Sequence, residues 1–403
     1  MIAFEDARRK ILELAVRLPA ERVALDDACG RVLAEDVVAQ IDLPGFDASA
    51  MDGYAVRTAD LSGDGPIALT LAGESRAGAA SREPLAKGAA CRIFTGAELP
   101  PGADAVVMQE DVTRDGTRVS FQRKPAACAH VRRRGEDLSA GTVALVKGTR
   151  LAPSHAALAA TCDRAWLMVA RRPVVTVLGT GDELRSPGAP GAPGSIPESN
   201  GVAIRAMARA AGALARVAPS VIDDRTATER AFEDALRGTD VLVTIGGVSV
   251  GDRDLVRPAL EAIGCSITLY KVAIKPGKPL TIGQRGGAIV LGLPGNPASA
   301  MITFALFGVP LLRAMQADRR PLPRVHAAKA ARAMKHTPGR TEFVRATLAR
   351  EGGSLLATPL RNQSSGATTA LAAADALIVV PSEADGVAQG APIDVIFLRD
   401  VEL

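Results

Sequence analysis

Aromatic side chains are nearly missing from this chain, with one Trp, two Tyr and nine Phe among 403 residues, so Ala, Val, Leu and Gly must fill its interior. The one dense basic run, Arg132, Arg133 and Arg134, has no aromatics interleaved with it, and the net charge is only +4. Nucleic-acid binding is therefore not expected. Four histidines, His130, His155, His326 and His336, form no HExxH or i,i+4 pair, which argues against a histidine metal centre. Five cysteines, odd in number, widely spaced and without a CxxC pair, exclude both a disulfide framework and a thiolate zinc site. No GxSxG elbow is present, so a hydrolase triad lacks its usual signal. The N-terminus has no charged segment followed by an apolar one, and no uninterrupted apolar run approaches the roughly 18 residues that span a bilayer. A cytoplasmic protein without membrane partners is the expectation.

The chain is rich in core-forming residues, 47% hydrophobic against 23% charged, and too long for one core to keep growing, which predicts several domains. Phe4, Ala7, Ile11, Leu14 and Leu18 fall on one face of a helix. Short extended pieces follow, and a break at Asp42–Leu43–Pro44–Gly45 opens a stretch of short β-like runs with Gly, Pro and Asp turns, to about residue 138. Residues 150–168 read as helical. From Arg172–Pro173 onward, apolar β-branched runs alternate with helical stretches: strands at 174–178, 215–221, 241–245, 267–272 and 288–291, helices at 199–212, 226–237, 252–263 and 298–315. After Arg320–Pro321–Leu322–Pro323 short strands return.

These patterns predict a multidomain α/β plus β protein. Its central domain is a three-layer α/β/α unit with a mostly parallel sheet (171–319), flanked by a β-rich insert domain (42–138) and a small C-terminal β-barrel-like domain (320–403). Residues 1–41 and 139–170 form an elongated N-terminal and linker domain.

Ligands of such sheets bind beyond the carboxyl ends of the strands, which directs attention to three loops. Gly246–Gly247–Val248–Ser249–Val250–Gly251–Asp252–Arg253–Asp254 follows an apolar strand and precedes a helix, where glycine backbone and helix N-terminus suit a phosphate. By itself it reads equally well as a tight turn with Asp252 as cap. Its glycine spacing resembles a Walker A loop, but Asp252 stands where the lysine belongs, which disfavours a P-loop ATPase. Lys271 and Lys275–Pro276–Gly277–Lys278–Pro279 place up to three cations on a proline-stiffened loop, suited to an oxyanion. Leu293–Pro294–Gly295–Asn296–Pro297 leads into an apolar helix, with Asn296 as cap and Pro297 in the first turn. Glu183, Asp223, Asp224, Asp252 and Asp254 all fall at strand ends of this sheet, where carboxylates together with phosphate oxygens would suit Mg²⁺; singly, each reads as a turn or cap residue.

Several ordered segments belong together: Phe46 to Arg57 (FDASAMDGYAVR), Arg92 to Ala97 (RIFTGA), Leu99 to Val107, Arg134–Gly135–Glu136–Asp137, and the three loops above. This set closely resembles the molybdopterin molybdenumtransferase family, MoeA and the E domain of gephyrin, over essentially the whole chain. Small departures are Phe94, where aliphatic residues are usual, and Ala298, where valine is common. The resemblance implies an elongated homodimer with the β-rich domain of one subunit facing the α/β domain of the other. It implies insertion of molybdate into adenylylated molybdopterin, with Mg²⁺ and release of AMP, and contact with other enzymes of molybdenum cofactor synthesis.

Carried over by motif, the catalytic candidates are Asp52, Thr95, Asp137, Glu183, Asp223 and Asp254, of which Glu183, Asp223 and Asp254 are the Mg²⁺ candidates. Gly246, Gly247, Ser249, Gly251, Lys271, Lys275, Lys278, Pro294 and Pro297 are the substrate-binding candidates. The competing readings are a scaffold module of the gephyrin kind and the molybdopterin adenylyltransferase that shares the α/β domain type.

Overall fold

The computed structural model describes residues 1–63, 66–222, 224–247 and 255–402. Its central sheet has six strands in the order 214–217, 174–179, 241–245, 288–293, 279–285 and 266–271. The first four are parallel, and the last two turn antiparallel. Val241–Ile245, buried along its whole length, lies third in that order, as expected of a strand covered on both faces. The helices expected from the sequence flank it at Asn200–Ala210, Arg225–Leu236 and Val256–Ala262.

Three details differ from the sequence reading. Strand Pro279–Arg285 was not anticipated, because a leading proline and an internal glycine mask its β character. The stretch 150–168 is a helix only over Pro153–Thr161; Trp166–Ala170 is a strand paired with Ala20–Ala24, as its bulky and β-branched content allows. The apolar helix 297–315 contains a π-turn at Phe304–Gly308. That helix has the length and character of a membrane span, but 83% of its most apolar window is buried, which makes it the core helix of the central domain.

Phe4, Ala7 and Ile11 of the N-terminal helix Phe4–Glu13 pack into the same core as Val243, Leu291, Phe304 and Phe307. Phe4 meets Phe307 and Phe343 edge to face at 5.6 and 5.2 Å, so a single ring joins the N-terminus, the core helix and the C-terminal region. In the C-terminal region, strands Thr341–Glu351, Ser354–Pro359, Val325–Ala330, Pro392–Phe397 and Ala376–Val380 follow one another and close back on the first, giving a five-stranded barrel without free edges. The insert region forms a six-stranded sheet of Ala105–Met108, Gly53–Val56, Ala89–Ile93, Ile67–Ser75, Arg118–Phe121 and Val112–Asp115.

Candidate active site

Parallel strands 241–245 and 288–293 end side by side, so the loops that leave them must emerge together. Gly246 and Gly247 follow the first, and Pro294, Gly295 and Asn296 follow the second; all five line one cleft of about 540 Å³ with Lys275, Gly277 and Lys278. The volume is that of a small-molecule site. Asn200, first residue of its helix, donates from Nδ2 to the Gly295 carbonyl at 2.8 Å and pins the proline loop from the opposite side.

The lysine loop is held from below. Ile274–Lys275 forms a short strand laid in parallel against the start of barrel strand Thr341–Glu351, paired with Thr341 and Glu342. Gly277 has φ of +103°, and a Cβ there would stand 2.3 Å from Thr303 Oγ1, so only glycine lets the loop lie this close to the core helix. Lys275 Nζ pairs with Glu342 Oε1 at 2.8 Å, and His336 Nδ1 lies 2.9 Å from Glu342 Oε2. Burial pushes the Glu342 carboxyl up, but hydrogen bonds from Lys275 and His336 outweigh it and hold the group below the usual glutamate range.

Sequence reasoning missed the third wall. Arg340, Gln363 and Ser365 of the C-terminal region also line the cleft. Asn296 stands at the N-cap position as expected but makes no side-chain capping bond; its Nδ2 donates to Ser365 Oγ at 3.0 Å, and Ala298 N–H donates to the Ser365 carbonyl at 3.0 Å. Arg345, fully buried, anchors this loop by donating to Gln363 Oε1 and to the Ser364 and Ala367 carbonyls. Pro297 occupies the first helical turn, as expected. The only local signal for this wall was a run of polar residues, Asn362 to Ser365, which reads as an ordinary loop.

Other candidates lie elsewhere or outside the described residues. Asp223, Ser249, Gly251, Asp252 and Asp254 fall outside them. Lys271 is exposed at the end of its strand, with its carbonyl accepting from Ile2 N–H at 2.9 Å, and does not line the cleft. Asp224 caps a helix, accepting from Ala227 N–H at 2.8 Å. Glu183 is exposed, with its carboxylate folded back over Gly181. Among the described residues no three carboxylate, histidine or cysteine groups meet as a metal site.

In the insert region the motif segments converge as a second cluster. Asp52 Oδ1 accepts from both the N–H and the hydroxyl of Thr95, at 2.8 and 2.9 Å. Those bonds from Thr95, with the charge of Arg92 nearby, hold the Asp52 carboxyl below its ordinary range. Asp137 N–H donates to the Leu43 carbonyl at 2.9 Å, and the Arg133 and Arg134 segment is bound to Asp47. Ala50 N–H donates to the His130 carbonyl and Gly96 N–H to the Ser49 carbonyl, at 2.8 Å each, so residues 47–52 run between the other two motifs. Phe94 takes part in this cluster, its ring lying under the Arg92 guanidinium at 4.6 Å.

Both clusters fall within regions that match known protein families. Residues 2–162 match the model of the MoeA N-terminal region (domain I and II), 176–314 that of a probable molybdopterin binding domain, and 327–398 that of the MoeA C-terminal region (domain IV). The chain is 35% identical to the molybdopterin molybdenumtransferase of Bacillus subtilis, over 99% of this chain and 94% of that one. It is 36% identical to the corresponding protein of Haemophilus influenzae over 98% of both. Among solved structures it resembles the molybdopterin biosynthesis moeA protein of Pyrococcus horikoshii OT3, at 28% identity and a TM-score of 0.86, covering 98% of this chain and all of the other. With the three family regions matched in order and full-length relatives above 30% identity, the chain belongs to the molybdopterin molybdenumtransferase family.

Proposed function

We propose that this protein inserts molybdate into adenylylated molybdopterin, releasing AMP and leaving the metal on the dithiolene sulfurs. The observation that carries the reading is the cleft in which three strand-end loops meet Lys275, Lys278 and Arg340. Both substrates are anions, and cations on a rigid loop bind them without losing much side-chain freedom. Lys278 and Arg340 supply positive charge for the pyrophosphate bridge and for molybdate. Gly246 and Gly247 let the backbone approach the same anions, while Pro294 and Pro297 shape the facing wall without doing chemistry. Burial of the bridge among fixed charges stabilises the negative charge that grows on the departing AMP phosphate.

Asp52, Thr95 and Asp137 complete the cleft from the insert domain of a second subunit in a homodimer. Thr95 fixes the Asp52 carboxylate as an anion, suited to orient a water or a donor group of the substrate. Glu183 together with Asp223 and Asp254 supplies the carboxylates for Mg²⁺, which when bound neutralises phosphoanhydride charge. Glu183 alone of the three is described, and its exposed carboxylate leaves it open to a cation. A cytoplasmic setting and contact with other cofactor-synthesis enzymes accompany this reading.

The test is to give the purified protein adenylylated molybdopterin, molybdate and Mg²⁺, and to measure AMP release together with formation of active cofactor. AMP release that requires molybdate and is lost with a chelator is expected. No AMP release and no cofactor overturns the reading. ATP-dependent AMP transfer to molybdopterin without metal insertion overturns it in favour of an adenylyltransferase.

A further inference from the structure

A second cavity, of about 500 Å³, lies where the linker region, the end of the core helix and the C-terminus meet, and shares no lining residue with the cleft. Arg150, Arg313, Arg319, Arg320, Arg324 and Arg399 line it. Against these six guanidinium groups the lining offers two carboxylates, Asp318 and Asp400, an excess of four positive charges.

Both carboxylates are already engaged. Asp318 Oδ2 pairs with Arg150 Nε at 2.9 Å, and its Oδ1 accepts from Arg320 N–H at 2.9 Å. Asp400 Oδ2 lies 3.3 Å from His326 Nε2, and its carbonyl accepts from Arg313 Nη2 at 2.8 Å. The Arg313 Nε is buried with no acceptor. Burial and the like charge of Arg150 both push the Arg313 guanidinium below the ordinary arginine range. Arg399 stacks on the Phe397 ring at 4.9 Å. Among the described residues the side chains of Arg319, Arg320 and Arg324 have no carboxylate partner.

A cluster of exposed arginines is ordinarily a solvated surface, and two observations separate this one from that case. Arg313 is half-buried and tied through Nη2 to the Asp400 carbonyl, so its charge is fixed in place at the cavity wall and not free to swing into solvent. The Arg319 stem is also laid down on purpose. Its N–H donates to the Gly148 carbonyl at 2.9 Å, and Gly148 has φ of +81° where a Cβ would sit 2.5 Å from Arg319 Cγ. Glycine at 148 thus makes room for the arginine to lie along the cavity wall.

We infer that this cavity is a binding site for a multiply charged oxyanion of the phosphate class, held by forked guanidinium contacts from Arg319 and Arg320, with the fixed charge of Arg313 beside them. No Phe, Tyr or Trp lines it, and His155 is the one ring on its wall, so recognition rests chiefly on the phosphate groups. Free pyrophosphate and the phosphate of a nucleotide share this chemistry.

The experiment titrates the full chain with inorganic pyrophosphate and, separately, with AMP, by calorimetry at low and high salt. It is repeated on Arg319→Ala/Arg320→Ala and on Lys278→Ala, which disables the lysine cleft instead. Pyrophosphate or AMP binding that survives Lys278→Ala, weakens at least tenfold when Arg319→Ala/Arg320→Ala is added to that variant, and weakens with salt is expected. Arg319→Lys/Arg320→Lys should recover only part of the affinity, because an ammonium cannot fork. AMP release from adenylylated molybdopterin, measured without added pyrophosphate, should be unchanged in the double arginine variant. Binding that is lost in Lys278→Ala and intact in the arginine variant overturns the inference, as does absence of any binding outside the lysine cleft.

Discussion

Lys275 Nζ lies 2.8 Å from Glu342 Oε1, joining the lysine loop of the central domain to strand Thr341–Glu351 of the C-terminal barrel. The pair has a consequence for pH. Glu342 carries a folded-state pKa below its usual value, so its contribution is complete above the ordinary glutamate range and is lost as pH falls below about 4.5. Glu342→Gln should flatten this acid limb of a stability-against-pH curve followed by urea unfolding, and should cost about 1–2 kcal/mol at neutral pH. An unchanged acid limb would show that the pair does not couple the two regions.

Asp52 and Thr95 form a second informative pair. Asp52→Asn keeps an acceptor for Thr95 N–H but removes the charge, whereas Asp52→Ala removes both. If the carboxylate charge serves the reaction, both variants lose turnover while unfolding at the same temperature as the parent. Loss confined to Asp52→Ala would assign the residue to holding the Thr95 loop instead.

The proposed sharing of the cleft between two subunits makes a quantitative prediction. Subunits carrying Asp52→Ala mixed with subunits carrying Lys278→Ala should regain about a quarter of parental activity, since half the dimers are mixed and each has one cleft with both residues intact. No recovery in mixtures shown by mass to contain mixed dimers would place both residues in one subunit's site.

Gly277 is expected to tolerate no side chain. Gly277→Ala sets a Cβ against Thr303 Oγ1 at a positive φ, and should cost about 1–3 kcal/mol while displacing Lys275 and Lys278. Weaker binding of the adenylylated substrate, read by titration, accompanies it. Parental affinity in this variant would mean that the loop adapts freely.

Arg345 is the anchor of the third wall. Arg345→Ala leaves the Ser364 and Ala367 carbonyls without their buried donor and Gln363 Oε1 with only the backbone N–H of residue 345, and should destabilise by about 2–4 kcal/mol in urea unfolding. Arg345→Lys should recover part of the stability but not the loop geometry, leaving substrate affinity reduced.

Much of this was legible in the residues themselves. Apolar runs such as Val241–Ile245 and Ala376–Val380 announce their strands, because a buried strand needs a continuous or alternating apolar string and little else. The glycine and proline loops are legible at the strand ends because backbone exposure and stiffness are local properties. Strand Pro279–Arg285 was hidden for the same reason in reverse: its proline and glycine are local signs of a loop, overruled by pairing with neighbours on both sides.

What the sequence determined by itself is the alternation of elements, the glycine and proline loops at the strand ends and, by its ordered motifs, the family. What only the tertiary structure decided is which residues share a wall. Arg340, Gln363 and Ser365 reach the cleft because barrel closure and the Lys275–Glu342 pair carry the C-terminal region against the central sheet. The arginine cavity gathers residues from positions 150, 313–324 and 399 by the same means. Contacts between distant segments depend on how whole units pack, and no periodicity or motif within either segment encodes that packing.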